Sequence, residues 1–293
     1  MVKILLTGAS GLLGRHLLPL LIEDHEVFSV GKTHIPSAEK MPLIDLAQTW
    51  SADILPKKID VVIHLAQSPR YREFPQGAND VFNVNVASTA QLLDYARVAE
   101  AKRFILASTG GIYRAGASPV SEDSEILGPA ELGHYFATKL ASEMIAGNYR
   151  KFMEVHILRI FFMFGSGQRR EMFIPALIER IARGESVRLN GKNGIRINPV
   201  HAKDAATAVR VLALLGGPKT VNIAGQQILT IREIADEIGS HLDVKPSFER
   251  LGTAENLVAD TRVLSRLIGP DQQDVLSSIK DLVTEWDHSP KTQ

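Results

Sequence analysis

The chain has 293 residues, with 33 basic residues against 33 acidic ones and no cysteine. A chain of that size buries most of its unfolded surface without staples and holds one large or two modest domains. The missing cysteines exclude disulfides, a thiolate nucleophile and every sulfur-ligated zinc or iron–sulfur site, and the balanced charge leaves no bulk field to draw the protein onto nucleic acid or an anionic membrane. No local basic cluster of useful length changes that. The longest apolar stretches, such as ILRIFFMF, fall short of the roughly 18 residues of a membrane span. The opening residues MVKILLTGASGLLGRHLL lack a cationic lead and a small-residue cleavage site, so a cytoplasmic location is expected, with no membrane partner.

Strand-length apolar runs alternate with helical patterns from the start, the signature of βαβ crossovers and a parallel sheet. VKILLT (2–7) is apolar at consecutive positions, as expected of a strand covered on both faces, and GLLGRHLLPLLIE then repeats apolar residues at helical spacing. HEVFSV (25–30) and DVVIHLA (60–66) read as the second and third strands. A long amphipathic helix follows at 79–100, then a fourth strand, RFILAST (103–109), ending in hydroxyls. A Gly-, Ser- and Pro-rich segment (106–134) leads to a helix at 134–150 and a fifth strand, EVHILRIFFMFG (154–165). Long loops of this kind usually carry function. Thereafter the pattern gives a helix near 171–183, a short strand at SVRLN, a helix near 204–215 and a strand at TVNIAG. A further helix begins at Thr230, where TIRE forms a capping box with Glu233. The boundary between a cofactor half (1–165) and a mainly substrate-binding half (166–293) falls near residue 165, with a segment near 195–225 crossing back.

TGASGLLG follows the first strand and opens a helix, placing Gly8, Gly11 and Gly14 at GxxGxxG spacing. Glycines here allow a sharp strand-to-helix turn, close approach of backbone to a pyrophosphate and close packing of helix on sheet, while the helix N-terminus offers free N–H groups. Ser10 and Leu12 lie in the same loop. An acidic residue normally closes the second strand of such a site and binds the adenosine ribose, but here Gly31 and Lys32 stand in its place. Lys32, helped by His34, suits a ribose 2′-phosphate, which favours NADP, with NAD possible; the plainer alternative is a solvated surface lysine.

HYFATKLASE sets Tyr135 and Lys139 four apart, on one face of a helix. A nearby ammonium favours the phenolate of a tyrosine, and proton transfer by Tyr135 would pair with hydride transfer at an alcohol or ketone. Thr109, at the end of the fourth strand, lies where ligands bind in open α/β sheets, with Ser108 beside it.

The motifs TGASGLLG, VVIHLA, NVNVAST, ASTGGIY, SEDSEILGPAELGHYFATKLASE, LRIFFMFGSGQ and INPVHAKDAA occur in this order. Together they resemble the extended short-chain dehydrogenase/reductases, the NAD(P)-dependent epimerase/dehydratase family. The resemblance implies an α/β, doubly wound parallel sheet of Rossmann type with a smaller C-terminal α/β substrate domain. It maps the catalytic Ser/Thr to Thr109, four residues before Tyr113, and the catalytic pair to Tyr135 and Lys139. It further implies cofactor contacts from Asp45 and Leu46, from the turn Leu65, Ala66 and Gln67, and from Asn85, although Ser88 replaces a glycine in that helix. Substrates of the family are mostly nucleotide-activated sugars, and a homodimer through 79–100 and 134–150 is implied.

Two departures bear on the reaction. Phe162 replaces an asparagine that commonly touches the substrate's phosphates, leaving Arg169, Arg170 and Arg196 as candidate phosphate partners. Gly110 and Gly111 stand where a dehydratase carries an Asp–Glu pair, which argues against water elimination. The favoured expectation is an NADPH-using 4-ketoreductase of a nucleotide sugar, with a 4-epimerase that retains NAD as the alternative. A non-enzymatic NADP-binding sensor is the reading from another class, and the intact Thr109, Tyr135 and Lys139 argue against it. No metal is expected: His201 and Asp204 read as the start of a helix, and His156 as a packed strand residue.

Overall fold

The structure, a computed structural model, describes residues 1–217 and 219–288. In chain order its first half runs β1 (Lys3–Thr7), α1 (Leu12–Ile22), β2 (Glu26–Val30), β3 (Val61–His64), α2 (Ala78–Phe82), α3 (Ser88–Val98), β4 (Arg103–Thr109), α4 (His134–Asn148) and β5 (Glu154–Ile160). The second half runs α5 (Phe173–Ala182), β6 (Val187–Asn190), β7 (Arg196–Ile197), α6 (Ala202–Leu215), β8 (Thr220–Ile223), β9 (Leu229–Thr230), α7 (Ile231–Leu242), β10 (Phe248–Leu251), α8 (Arg262–Ile268) and α9 (Val275–His288).

Six strands form one parallel sheet in the order β2-β1-β3-β4-β5-β8. Consecutive apolar residues in these strands serve opposite faces, as the two-residue period of a strand requires. In β1, Ile4 and Leu6 pack on one side with Leu13, Leu17 and Leu21 of α1 and with Val209 and Leu212 of α6, whereas Leu5 packs on the other with Leu92, Leu93 and Ala96 of α3. Helices therefore cover both faces, and the expected doubly wound sheet is present.

The chain steps from β1 outward to β2 and then returns to the opposite side of β1 with β3. That reversal opens a crevice at the carboxyl ends of β1 and β3, where Thr7 and His64 are register partners. Beyond the sheet, a separate apolar cluster joins α5, α7 and α9 through Ile178, Ile234 and Ile279, flanked by the parallel pair β6–β10 and the antiparallel pair β7–β9. Among the described residues no helix is long and apolar enough to cross a membrane.

Three local findings refine the sequence expectations. The helix expected over 79–100 contains a π turn at Asn83–Ala87 between α2 and α3, because the hydroxyls of Ser88 and Thr89 donate to the carbonyls of Val84 and Asn85 and draw on the backbone ladder. The fifth strand ends at Ile160, earlier than the expected 165, since Phe162 takes a left-handed φ of 41°. The capping box at Thr230 and Glu233 is present, and His201 caps α6 by accepting from the Lys203 N–H. His156 is buried in β5. The weakly patterned elements β7, β9, β10, α8 and α9 had no clear sequence signal.

Candidate active site

The glycine loop is shaped by clashes that any side chain would cause. Gly8 has φ +78, and a Cβ there would lie 2.7 Å from the Ala66 nitrogen; at Gly14 a Cβ would lie 2.2 Å from the Gly8 carbonyl oxygen. Gly8 thus seats the loop against the turn after β3, and Gly14 seats α1 against the loop. Gly11 begins α1 with no side-chain cap, and Ser10 and Gly11 are exposed. Uncapped N–H groups at an exposed helix start, at the reversal of strand order, are what a dinucleotide pyrophosphate requires. The residues present fit such a group.

The turn below is fixed from behind. Thr7 Oγ1 accepts the Ala66 N–H at 3.2 Å and contacts His64 Nδ1 at 2.7 Å, while His64 Nε2 contacts Thr89 Oγ1 at 3.0 Å and Thr89 donates to the Asn85 carbonyl. Because the Thr89 proton is committed to Asn85, Thr89 can only accept from His64, which makes His64 an Nε2–H imidazole accepting from Thr7 at Nδ1. Burial, with Lys139 nearby, lowers the His64 pKa to about 3. This neutral chain ties the turn after β3 to the π turn. Asn85 itself is buried; its amide donates to Thr138 Oγ1 at 3.0 Å and accepts from the Ser68 N–H.

At the far end of the crevice, Gly31 has open space: a Cβ would meet nothing within 4 Å. Lys32 is exposed but not solitary, since its ammonium lies 3.8 Å from Asp45, whose carboxylate also caps the Ala47 N–H. The lysine expected to face a 2′-phosphate is therefore shared with the residue expected to face the adenine. Leu46 is buried, whereas Leu12, Leu65 and Ala66 are half-buried along the loop and turn.

Thr109 ends β4 and Lys139 reaches the same strand at Ala107, while Tyr135, one turn earlier in α4, reaches Gln67 in the turn after β3. Thr109 is half-buried, with its Oγ1 accepting the Gly111 N–H at 3.1 Å. The Tyr135 hydroxyl donates to Gln67 Oε1 at 2.9 Å, and its ring lies 5.0 Å from that of Tyr71. Lys139 is buried and donates to the Ala107 carbonyl at 2.9 Å. Burial lowers its pKa to about 8, an effect that Glu143 partly offsets.

The polar groups of the expected Tyr135–Lys139 pair bond to different partners in the structure. Burial, followed by the neighbouring Tyr71, pushes the Tyr135 pKa upward. The lysine is held on the strand backbone while the tyrosine is held on the turn after β3. Ser108, the neighbour of Thr109 in β4, has a partner on the helix side. It is buried, and its hydroxyl donates to Glu143, which forms a paired contact with Arg159 at 2.8 Å. Arg159 in turn donates to the Tyr113 hydroxyl at 2.7 Å, and Tyr113 donates to Asn222. This buried ion pair locks β4, α4 and β5 together. Its sequence signal was Glu143 four residues after Lys139, on the same helix face.

The arginines expected at a diphosphate each stand near a glutamate. Arg169 lies 3.5 Å from Glu171, and Arg170 lines a surface depression of about 360 Å³ with Arg180, Arg183 and three glutamates. Arg196 starts β7 near Glu233. Phe162, at the position of the missing asparagine, packs edge-on to Phe173 with ring centres 6.2 Å apart.

A glycine loop at the strand reversal, with a tyrosine, a lysine and a threonine at the end of β4, defines a Rossmann-type dinucleotide enzyme. The sequence pattern of the NAD dependent epimerase/dehydratase family matches residues 4–224, and the chain belongs to that family. It is 28% identical to GDP-6-deoxy-D-talose 4-dehydrogenase of Aggregatibacter actinomycetemcomitans, over 97% of this chain and 96% of that protein. It is 26% identical to an uncharacterised UDP-glucose epimerase of Bacillus subtilis (strain 168), again over 97% and 96%. Among solved structures, MoeE5 in complex with UDP-glucose and NAD superposes with a TM-score of 0.81 at 25% identity, over 97% of this chain and 98% of that one.

Proposed function

We propose that the protein is an NADPH-using 4-ketoreductase of a nucleotide-activated sugar. The observation that carries this reading is the Tyr135 hydroxyl, a phenol O–H that, from the helix turn before the buried Lys139, donates to Gln67 Oε1 at 2.9 Å. A protonated phenol with an ammonium one helical turn away can give its proton to the oxygen of a carbonyl undergoing reduction. The dinucleotide, when bound, supplies the hydride to the carbonyl carbon. Thr109 orients the substrate oxygen, Tyr135 donates its proton to that oxygen, and Lys139 holds the nicotinamide ribose from its buried seat on the Ala107 carbonyl.

Gly31 and Lys32 support NADP, because the open space at Gly31 admits a phosphate where a carboxylate would repel it. The nucleotide-sugar substrate is supported by the names of the relatives, which act on GDP- and UDP-linked sugars. The 4-epimerase reading, with NAD retained, has its own support in the UDP-glucose epimerase relative and in the NAD bound to MoeE5. We assign residues 1–165, with the returning segment near 195–225, to the cofactor domain and 166–293 mainly to substrate binding, with Arg169 and Arg196 as its cationic contacts. We also propose a cytoplasmic homodimer through α2, α3 and α4, on which Phe82, Val98 and Met144 are exposed apolar side chains.

The test is NADPH and NADH oxidation with a panel of UDP- and GDP-linked 4-keto sugars. NADPH consumption with formation of the 4-hydroxy sugar is expected. Interconversion of C4 epimers with no consumption of added cofactor would replace this reading with the epimerase.

A further inference from the structure

Two glycines directly after a catalytic threonine suggest open room, but here the room is taken. A Cβ on Gly110 would stand 2.4 Å from the Phe161 ring, and one on Gly111 would stand 2.3 Å from the Phe136 ring. Neither position admits a side chain while those rings stay in place. Gly111 donates its N–H to Thr109 Oγ1 at 3.1 Å, and Phe136 follows Tyr135 in α4 with ring centres 5.4 Å apart. The Phe136 ring is thereby fixed beside both groups that hold the reacting oxygen. Phe161 is buried and stacked on Tyr113, and Phe162 extends the aromatic region towards Phe173.

Four charged side chains near this wall have other partners, among them Arg72, which lies over the Tyr71 ring and donates to the Glu171 carbonyl. Glu143 and Arg159 pair with each other behind Ser108, and Lys139 is held by the Ala107 carbonyl. The Gly111 N–H, which would be a natural donor to an anion here, is already given to Thr109.

We propose that Phe136, seated on Gly111, is a specificity-determining residue that selects a 6-deoxyhexose over a hexuronic acid in the nucleotide-activated substrate. The inference rests on the reading of Thr109 and Tyr135 as the groups that hold the C4 oxygen. The ring carbon next to C4 carries C6 as a methyl, a hydroxymethyl or a carboxylate. A carboxylate brought against an aromatic ring and bare glycine backbone loses its water without gaining a paired charge, whereas a methyl loses nothing by the same move. The wall also explains in steric terms why an acid pair has no place after Thr109: two rings occupy the volume it would need.

The test measures kcat/KM for the holoenzyme with the UDP- and GDP-linked forms of a 6-deoxyhexose, the matching hexose and the matching hexuronic acid, oxidised at C4 with NADP and with NAD. The 6-deoxyhexose is expected to exceed the hexuronic acid by about a hundredfold. Phe136→Ala should shrink that ratio about tenfold, and Phe136→Leu should largely keep it. A wild-type enzyme that favours the hexuronic acid, or treats the two alike, overturns the proposal, as does an active Phe136→Ala with an unchanged ratio. Turnover of the hexuronic acid alone would leave the Thr109 and Tyr135 reading standing while rejecting the aromatic wall; turnover of no nucleotide sugar would remove both.

Discussion

Gly8 and Gly14 after β1, and Gly110 and Gly111 after β4, are glycines of the same sheet edge put to opposite uses. At β1 the missing side chains let backbone approach backbone, with Gly8 against Ala66 and Gly14 against Gly8. The result is a tight loop in which Ser10 and Gly11 are exposed and Gly11 N–H donates to the Gly8 carbonyl. At β4 the missing side chains let aromatic rings approach, Phe161 on Gly110 and Phe136 on Gly111. One pair therefore shapes the crevice end at β1, and the other, on the proposed reading of Thr109 and Tyr135, shapes the wall beside the reacting atoms. A glycine in sequence announces a close approach; only the fold shows what approaches.

That contrast predicts different costs for the same substitution. Gly14→Ala forces its methyl onto a carbonyl and the Ala9 Cα, neither of which can rotate away. It should cost about 3 kcal/mol or more in chemical denaturation and abolish cofactor binding with it. Gly110→Ala meets a side-chain ring and should cost about 1–3 kcal/mol, part of it restored by a smaller residue at 161. Equal losses in the two variants, or rescue of Gly14→Ala by a distant side-chain change, would break the distinction.

The loop's support gives a pH-dependent prediction. His64 has its folded pKa lowered from 6.5 to about 3. As pH falls below 6.5 the unfolded chain takes a proton there that the native chain refuses, so stability is lost progressively down to about pH 3. Relative to wild type, His64→Gln should therefore gain about 2 kcal/mol between pH 6.5 and 5 in urea denaturation. A difference that does not change with pH would mean that His64 titrates normally.

The smallest expected effect lies at the far end of the cofactor site. Lys32→Ala should raise the NADPH dissociation constant about tenfold while leaving NADH almost unchanged, as measured by fluorescence titration. Because Lys32 also pairs with Asp45, Asp45→Asn is the sharpening variant: freeing the ammonium should tighten NADPH selectively. Equal losses for the two cofactors in Lys32→Ala would reject the 2′-phosphate role.

The parts of this molecule that were legible in the sequence are those that repeat a period or a spacing. The alternating strands and helices, the glycine loop after β1, the Tyr135–Lys139 turn and the Thr230–Glu233 cap each follow from local geometry. The roles of individual side chains at the site were less legible, because they depend on partners far away in the chain. Ser108 and Thr109 are neighbours in sequence, but Glu143 claims the first and leaves the second at the crevice. Lys139 shares a helix face with Tyr135, yet the Ala107 carbonyl holds its ammonium and Gln67 holds the tyrosine hydroxyl. The only local trace of the π turn at Asn85 is the pair of hydroxyls on Ser88 and Thr89, and nothing in the local sequence around Phe136 marks its approach to Gly111.

The central claim is that Tyr135 donates a proton as a hydride reaches the sugar. It is tested most directly by single turnovers with NADPH deuterated at the transferable position, comparing wild type with Tyr135→Phe on a UDP- or GDP-linked 4-keto sugar. The account predicts deuterium at C4 of the product sugar in wild type, and transfer slowed by about a thousandfold in Tyr135→Phe with cofactor affinity and thermal stability nearly unchanged. Undiminished transfer in Tyr135→Phe, or wild-type turnover that leaves no deuterium at C4, would contradict it.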